Sequence, residues 1–227
     1  MWRDALLVAG KDLRVEARSR VATNQVAPFA VVVLVLFAFA LDPDRGVLTR
    51  AAAGLFWVAV LFSALLAVQR SFAIEAADSA RDGLRLSGLD PAGIFLGKAA
   101  AVAVQLVALE ALLAAGVLVL YNANLHDVVL LVGTCMAATV GLAAAGTIYG
   151  VLAAGLRVRE TLLPLLLLPV VAPVLLGATR AWEAGLCGTG TLGTSGDGSP
   201  WLQLLAVFAV VYVTFGVLAF GPLLEEA

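Results

Sequence analysis

Six apolar runs, each of 17 residues or more, dominate this chain: Val21 to Leu41, Ala51 to Val68, Ala99 to Tyr121, Val128 to Leu156, Leu162 to Ala178 and Trp201 to Leu224. At about 1.5 Å per residue, a helix of that length crosses roughly 30 Å of hydrocarbon once tilt and flanking residues are counted. A chain of 227 residues that is 62% hydrophobic and 13% charged has more apolar surface than a water-soluble core of this size can bury, so the bilayer is the expected solvent. In lipid the backbone must satisfy its own hydrogen bonds, and long apolar runs of this kind do so as helices. The expected fold is a single all-α integral membrane domain over residues 1–227, with six transmembrane helices.

Between the second and third runs lies the longest polar interval, Arg70 to Lys98, RSFAIEAADSARDGLRLSGLDPAGIFLGK. It carries Arg70, Arg81, Arg85 and Lys98 together with Glu75, Asp78, Asp82 and Asp90. Unpaired ions are costly in lipid, so this segment must meet water or protein, and it reads as a docking element. Ahead of the first run, Trp2, Leu6, Ala9, Leu13 and Ala17 recur at three- and four-residue spacing, with Arg3, Lys11, Arg14 and Arg18 between them. That pattern predicts a helix lying in the membrane interface, its basic side chains toward anionic headgroups. Met1 to Arg20 lacks the apolar block and cleavage site of a signal peptide, so the first span is expected to stay in the mature protein.

Orientation follows from the basic residues. With the N-terminus inside, eleven Lys and Arg fall on the inner side and three, Arg45, Arg50 and Arg180, on the outer. Both termini and the Arg70 to Lys98 segment are therefore expected in the cytoplasm. A net charge of −2, with basic residues only in small groups, excludes nucleic acid as a partner class.

Within the spans, Glu110 stands near the middle of the third, twelve residues after Lys98. An ionisable group at that depth costs roughly 3 kcal/mol, so it is expected to face the bundle interior, where Gln105 is the nearest polar residue in sequence. The fourth span is rich in small residues, with Gly146 and Gly150 forming a small-xxx-small pair suited to close helix packing. Pro164, Pro169 and Pro173 predict that the fifth span is bent or partly unwound.

Other features carry little chemistry. His126 is alone in an outer loop, and Cys135 and Cys187 form no CxxC or Cys/His cluster, so no metal site is expected. Gly188 to Gly193 spells GxGxxG but follows no strand, and no GxxxxGK[ST] occurs, so the chain is not expected to hold a nucleotide or to be an enzyme. Trp182 and Trp201 read as interfacial anchors.

Three blocks carry a family resemblance: GLFWVAVLFSALLAVQRSFAIE (Gly54 to Glu75), GLRLSGLDPAGIFLGK (Gly83 to Lys98) and RVRETLLPLLLLPVVAPVLLGAT (Arg157 to Thr179). In this order they resemble the haem exporter protein B (CcmB) family of cytochrome c maturation. The resemblance implies an ABC-2-type permease in the inner membrane, working with a separate cytoplasmic ATPase dimer, a haem-handling membrane protein and a small single-span subunit. It makes haem the expected substrate, with ATP bound by the partner, and it places a coupling helix between the second and third spans. Arg70, Phe72, Glu75, Asp78, Gly83 and Lys98 then lie in or beside the element that meets the ATPase. A second copy of the chain is expected in the assembly. A permease for another amphiphile, or a secondary transporter outside the ABC class, stays as the alternative.

Overall fold

The computed structural model describes residues 1–19, 26–40, 45–77, 88–120, 125–154, 159–187 and 197–226. These residues form seven helices: α1 (Trp2–Ser19), α2 (Ala27–Ala40), α3 (Arg45–Ala77), α4 (Pro91–Leu120), α5 (Val128–Ala154), α6 (Arg159–Cys187) and α7 (Ser199–Glu226). Five of them, α3 to α7, are long and apolar enough to cross a membrane, and α2 is a shorter apolar helix. The predicted second to sixth spans lie on those five, save that the last residue of the third, 121, and the last two of the fourth, 155–156, are outside the described residues. Of the predicted first span, residues 27–40 are helical, while 21–25 and 41 lie outside the described residues.

Three helix starts are set by one device, an aspartate at the boundary. The Asp90 carboxylate accepts the Ala92 N–H at 3.1 Å, with Pro91 as the first helical residue, where its missing amide costs nothing. Asp127 accepts the Leu130 N–H at 2.9 Å, and Asp197 the Ser199 N–H at 3.1 Å. The cap at Asp90 explains why α4 begins eight residues before the predicted third span. Lys98, expected in a water-facing segment, is thus inside a helix and 2% exposed. At the other side of the polar interval, Arg70, Phe72 and Glu75 lie on α3, which continues to Ala77.

Around α5 the bundle closes. That helix touches α3, α4, α6 and α7, and its small residues make the approach possible. A Cβ on Gly146 would lie 2.7 Å from Val68 of α3, and one on Gly150 would enter the Phe72 ring. The small-xxx-small pair is therefore intramolecular packing, as its spacing suggested. On α5's opposite side, Gly141 meets the Phe208 ring of α7, with a Cβ placed 2.9 Å away.

The fifth predicted span extends to Cys187, so α6 is longer than its apolar run, and Cys187 ends a helix instead of lying in the Gly-rich loop. The helix runs without a break through Pro164, Pro169 and Pro173. Trp182 is corrected as well. It is 4% exposed and stacks on Phe56 of α3, with ring centroids 3.9 Å apart, where an interfacial anchor would be open. Trp201 is half-buried in the first turn of α7.

The amphipathic α1 docks on the first turns of α4. Gly93 and Gly97 present bare backbone to it, and a Cβ on Gly97 would sit 2.6 Å from the Ala5 carbonyl oxygen and 2.7 Å from Val8 Cβ. Ala5 and Val8 are buried there. The seat is reinforced by Asp4, whose carboxylate accepts the Asp90 N–H at 3.3 Å and pairs with the Met1 amine at 3.3 Å. The Asp90 N–H, followed by the Met1 amine, holds the Asp4 carboxyl below its ordinary range.

Two outcomes follow from this seat. Gly97→Val displaces α1, which raises the mobility of a nitroxide placed at the half-buried rim of the seat, through an Ala9→Cys exchange in a chain whose Cys135 and Cys187 are replaced by alanine, while leaving helix content unchanged. A group whose folded pKa is depressed contributes above its unfolded value and ceases to do so as pH falls through the folded one. The α1 seat is therefore intact at neutral pH and loosens in acid below the usual carboxylate range, and Asp4→Asn removes that pH dependence of the same nitroxide signal.

Candidate functional site

Two acidic residues of α1, Asp12 and Glu16, are four apart and share one face of the helix. That face meets the ends of α3 and α4 nearest the polar interval. Glu16 Oε2 pairs with Arg70 Nε at 3.1 Å, and Asp12 Oδ2 pairs with Lys98 Nζ at 3.6 Å. The Lys98 ammonium also donates to Ser71 Oγ at 3.4 Å and stands 4.8 Å from the centre of the Phe72 ring. Asp12 holds a second cation, Lys11, through its other oxygen at 3.0 Å.

Each contact has a separate physical reason. A lysine this buried cannot be left without a counter-charge, because desolvation costs several kcal/mol per ion. Asp12 supplies the charge, Ser71 a lone pair and Phe72 the negative face of its ring. Phe72 in turn is 7% exposed, and its far edge fills the space left by the missing side chain of Gly150. The anchor therefore links four helices: α1, α3 and α4 by charge, and α5 through the phenylalanine.

Of the six residues expected in or beside the coupling element, three converge here: Arg70, Phe72 and Lys98. Glu75 lies near the end of α3 with its side chain outside the described residues, and Asp78 and Gly83 lie outside them altogether. Sequence reading missed Asp12, Glu16 and Ser71. Two acids at i and i+4 on an otherwise basic amphipathic helix were the available signal.

A second polar site lies deeper. Glu110 on α4 is 3% exposed, and its Oε1 accepts the Thr139 hydroxyl of α5. The partner is thus Thr139, not Gln105, which is half-buried. Cys135, one turn along α5 from Thr139, has its thiol beside both Glu110 and Trp182. Glu110 Oε2, Thr134 Oγ1 and Trp57 Nε1 are buried with no hydrogen-bond partner among the described residues. Beyond Trp182, Phe56 and Trp57 meet edge to face at 5.3 Å. A line of polar and aromatic groups therefore crosses from α4 through α5 and α6 to α3. Among the described residues no group of His, Cys, Asp and Glu is arranged to hold a metal ion.

The charged anchor makes a double-exchange test. Asp12→Asn leaves the Lys98 ammonium buried without its counter-charge and is expected to destabilise the folded chain by about 3 kcal/mol, the range for breaking a buried ion pair. Adding Lys98→Met to Asp12→Asn removes the stranded charge and recovers most of that loss. Thermal unfolding of the purified protein in one detergent checks both, and an additive pair of effects would refute the coupling.

Comparison with known proteins matches the chain to the CcmB protein family model over residues 3–226. The heme exporter protein B of Paracoccus denitrificans is 28% identical over 226 residues, covering 96% of this chain and 94% of that protein. That of Pseudomonas aeruginosa is 30% identical over 219 residues, covering 95% and 94%. The Haemophilus influenzae heme exporter protein B is 30% identical over 183 residues, covering 79% and 81%. The family model runs through α1, the anchor and the last helix alike, and this chain belongs to the CcmB family.

Proposed function

We propose that this chain is the membrane permease subunit of an ATP-driven haem-export system serving cytochrome c maturation, powered by a separate ATPase. The observation that carries the reading is the match to the CcmB family over nearly the whole chain, whose relatives bear the name heme exporter protein B. The charged anchor supports it mechanically. α3 and α4 reach the two ends of the polar interval, and just inside those ends Arg70, Phe72 and Lys98 tie them to each other, to α1 and to α5. A force applied to the residues between Ala77 and Pro91 then reaches the bundle through a closed set of contacts instead of through two loose rods.

In this reading α2 completes a six-span ABC-2 permease in the inner membrane, with both termini and the polar interval in the cytoplasm. An ATPase dimer grips the interval at Glu75, Asp78 and Gly83. Its ATP-driven closure displaces the ends of α3 and α4 as rigid bodies, and α1 moves with them. The chain pairs with a second copy and with the haem-handling membrane protein and small single-span subunit of the same system. Haem is the substrate of the assembly, and ATP is hydrolysed on the partner.

The test is co-purification of the full chain with its ATPase from membranes. Retention by the native chain, with loss on Glu75→Lys combined with Asp78→Lys, is the expected outcome. Unchanged retention in that variant removes the interval as the docking element. Labelling of a Ser79→Cys variant from the outer side of intact cells, in a chain whose Cys135 and Cys187 are replaced by alanine, would overturn the orientation.

A further inference from the structure

The helix α1 segregates its charges. Its three acids, Asp4, Asp12 and Glu16, all turn toward the bundle, where each makes a bond: Asp4 to the start of α4, Asp12 to Lys98 and Glu16 to Arg70. All four of its basic residues are exposed, Lys11 beside Asp12 and Arg3, Arg14 and Arg18 on the side away from the bundle. The segment is close to neutral in sequence, but seated on the bundle it shows an outward face that is strongly basic. The spacing already set the basic residues toward headgroups; what the docked edge adds is that all three acids are turned away from them, into the bundle.

At 100° per residue the helix has three edges. Ala5, Val8, Asp12 and Glu16 form the docked one. Next to it runs an apolar edge led by Trp2 and Leu6, which are 72% and 75% exposed. Arg3, Arg14 and Arg18 follow on the third. An exposed tryptophan and leucine beside a row of arginines, on a helix tied to the end of a membrane bundle, match the boundary between acyl chains and phosphate groups.

We propose that the outward face of α1 binds anionic phospholipid, with Trp2 and Leu6 entering the acyl layer and Arg3, Arg14 and Arg18 on the phosphates. Charge complementarity selects the occupant. An uncharged headgroup layer satisfies the apolar edge but gives the arginines no net attraction, whereas an anionic layer gives about fivefold in affinity for each basic residue near its surface. Because the opposite edge of the same helix carries Asp12 and Glu16, bound lipid fixes the position of the carboxylates that hold Lys98 and Arg70. The membrane's anionic lipid becomes part of the anchor. This inference needs no ATPase and stands or falls apart from the reading above.

Full-length protein in mixed vesicles of phosphatidylcholine and phosphatidylglycerol tests it, with one lipid or the other brominated in its acyl chains. The Trp2 component is the difference between the native chain and Trp2→Phe. Stronger quenching by brominated phosphatidylglycerol than by brominated phosphatidylcholine is expected, and the excess should fall as salt is raised. The excess is lost in the Arg3→Gln, Arg14→Gln, Arg18→Gln variant and kept when the same three become lysine, which shows that the charge and not the fold is being read. Equal quenching by the two lipids, or an excess that survives the glutamine variant, overturns the proposal. So does absence of Trp2 quenching by either lipid, which would mean that protein, not lipid, covers this face.

Discussion

One ammonium group organises an end of this molecule. Lys98 sits inside a helix, almost wholly removed from solvent, in a chain whose other surroundings are apolar. Such a charge is tolerated only where several groups face it together, and each helix near it contributes one. α1 brings a carboxylate, α3 a hydroxyl and an aromatic ring, and α5 the glycine that lets the ring approach. The arrangement gains specificity rather than large stability, since a buried ion pair roughly offsets its own desolvation. Its effect is to disfavour other positions of α1, because sliding that helix by one turn in either direction would leave one of the two cations, Lys98 or Arg70, without its carboxylate.

Close packing depends on a second constraint, the absence of side chains. In lipid, apolar surface does not by itself drive helices together, so contact area must come from backbone approach. Two glycine pairs at four-residue spacing supply it at the same end of the bundle. Gly93 and Gly97 of α4 receive α1, and Gly146 and Gly150 of α5 receive α3. Gly216 of α7 accepts the Phe95 ring in the same way. Charge therefore fixes where α1 sits, while glycine fixes how near.

Much of this was legible in the sequence, and the failures have identifiable causes. Apolar length located the predicted second to sixth spans, because hydrocarbon thickness sets a minimum that the chain must meet. The same criterion is blind to polar residues inside a helix, so it stopped at Ala99 although Asp90 and Pro91 already spelled a capped start. It also ended the fifth span at Ala178, before Trp182, and so placed a buried stacking residue at the membrane surface. Arg70, Phe72 and Lys98 were singled out as flanks of a docking segment, and they do come together. Their partners were hidden because Asp12 and Lys98 are 86 residues apart in sequence, and a charged residue's mate is set by tertiary packing alone. Glu110 was placed correctly in the bundle interior, yet Gln105 on its own helix proved the wrong companion. Residues five apart on a helix point about 140° away from each other, so a neighbouring helix was always the better source.

The two polar sites together suggest how α4 is held. Lys98 and Glu110 are twelve residues apart, about 18 Å along the axis and roughly a third of a turn around it. The first faces α1 and α3, and the second faces α5. α4 is therefore pinned on two different faces at two depths, by an ion pair near its start and by the hydrogen bond from Thr139 about two-thirds of the way along it. Because the two bonds face about a third of a turn apart, they resist rotation of α4 about its own axis as well as sliding along it: a rotation that kept Lys98 facing Asp12 would have to keep Glu110 facing Thr139 too.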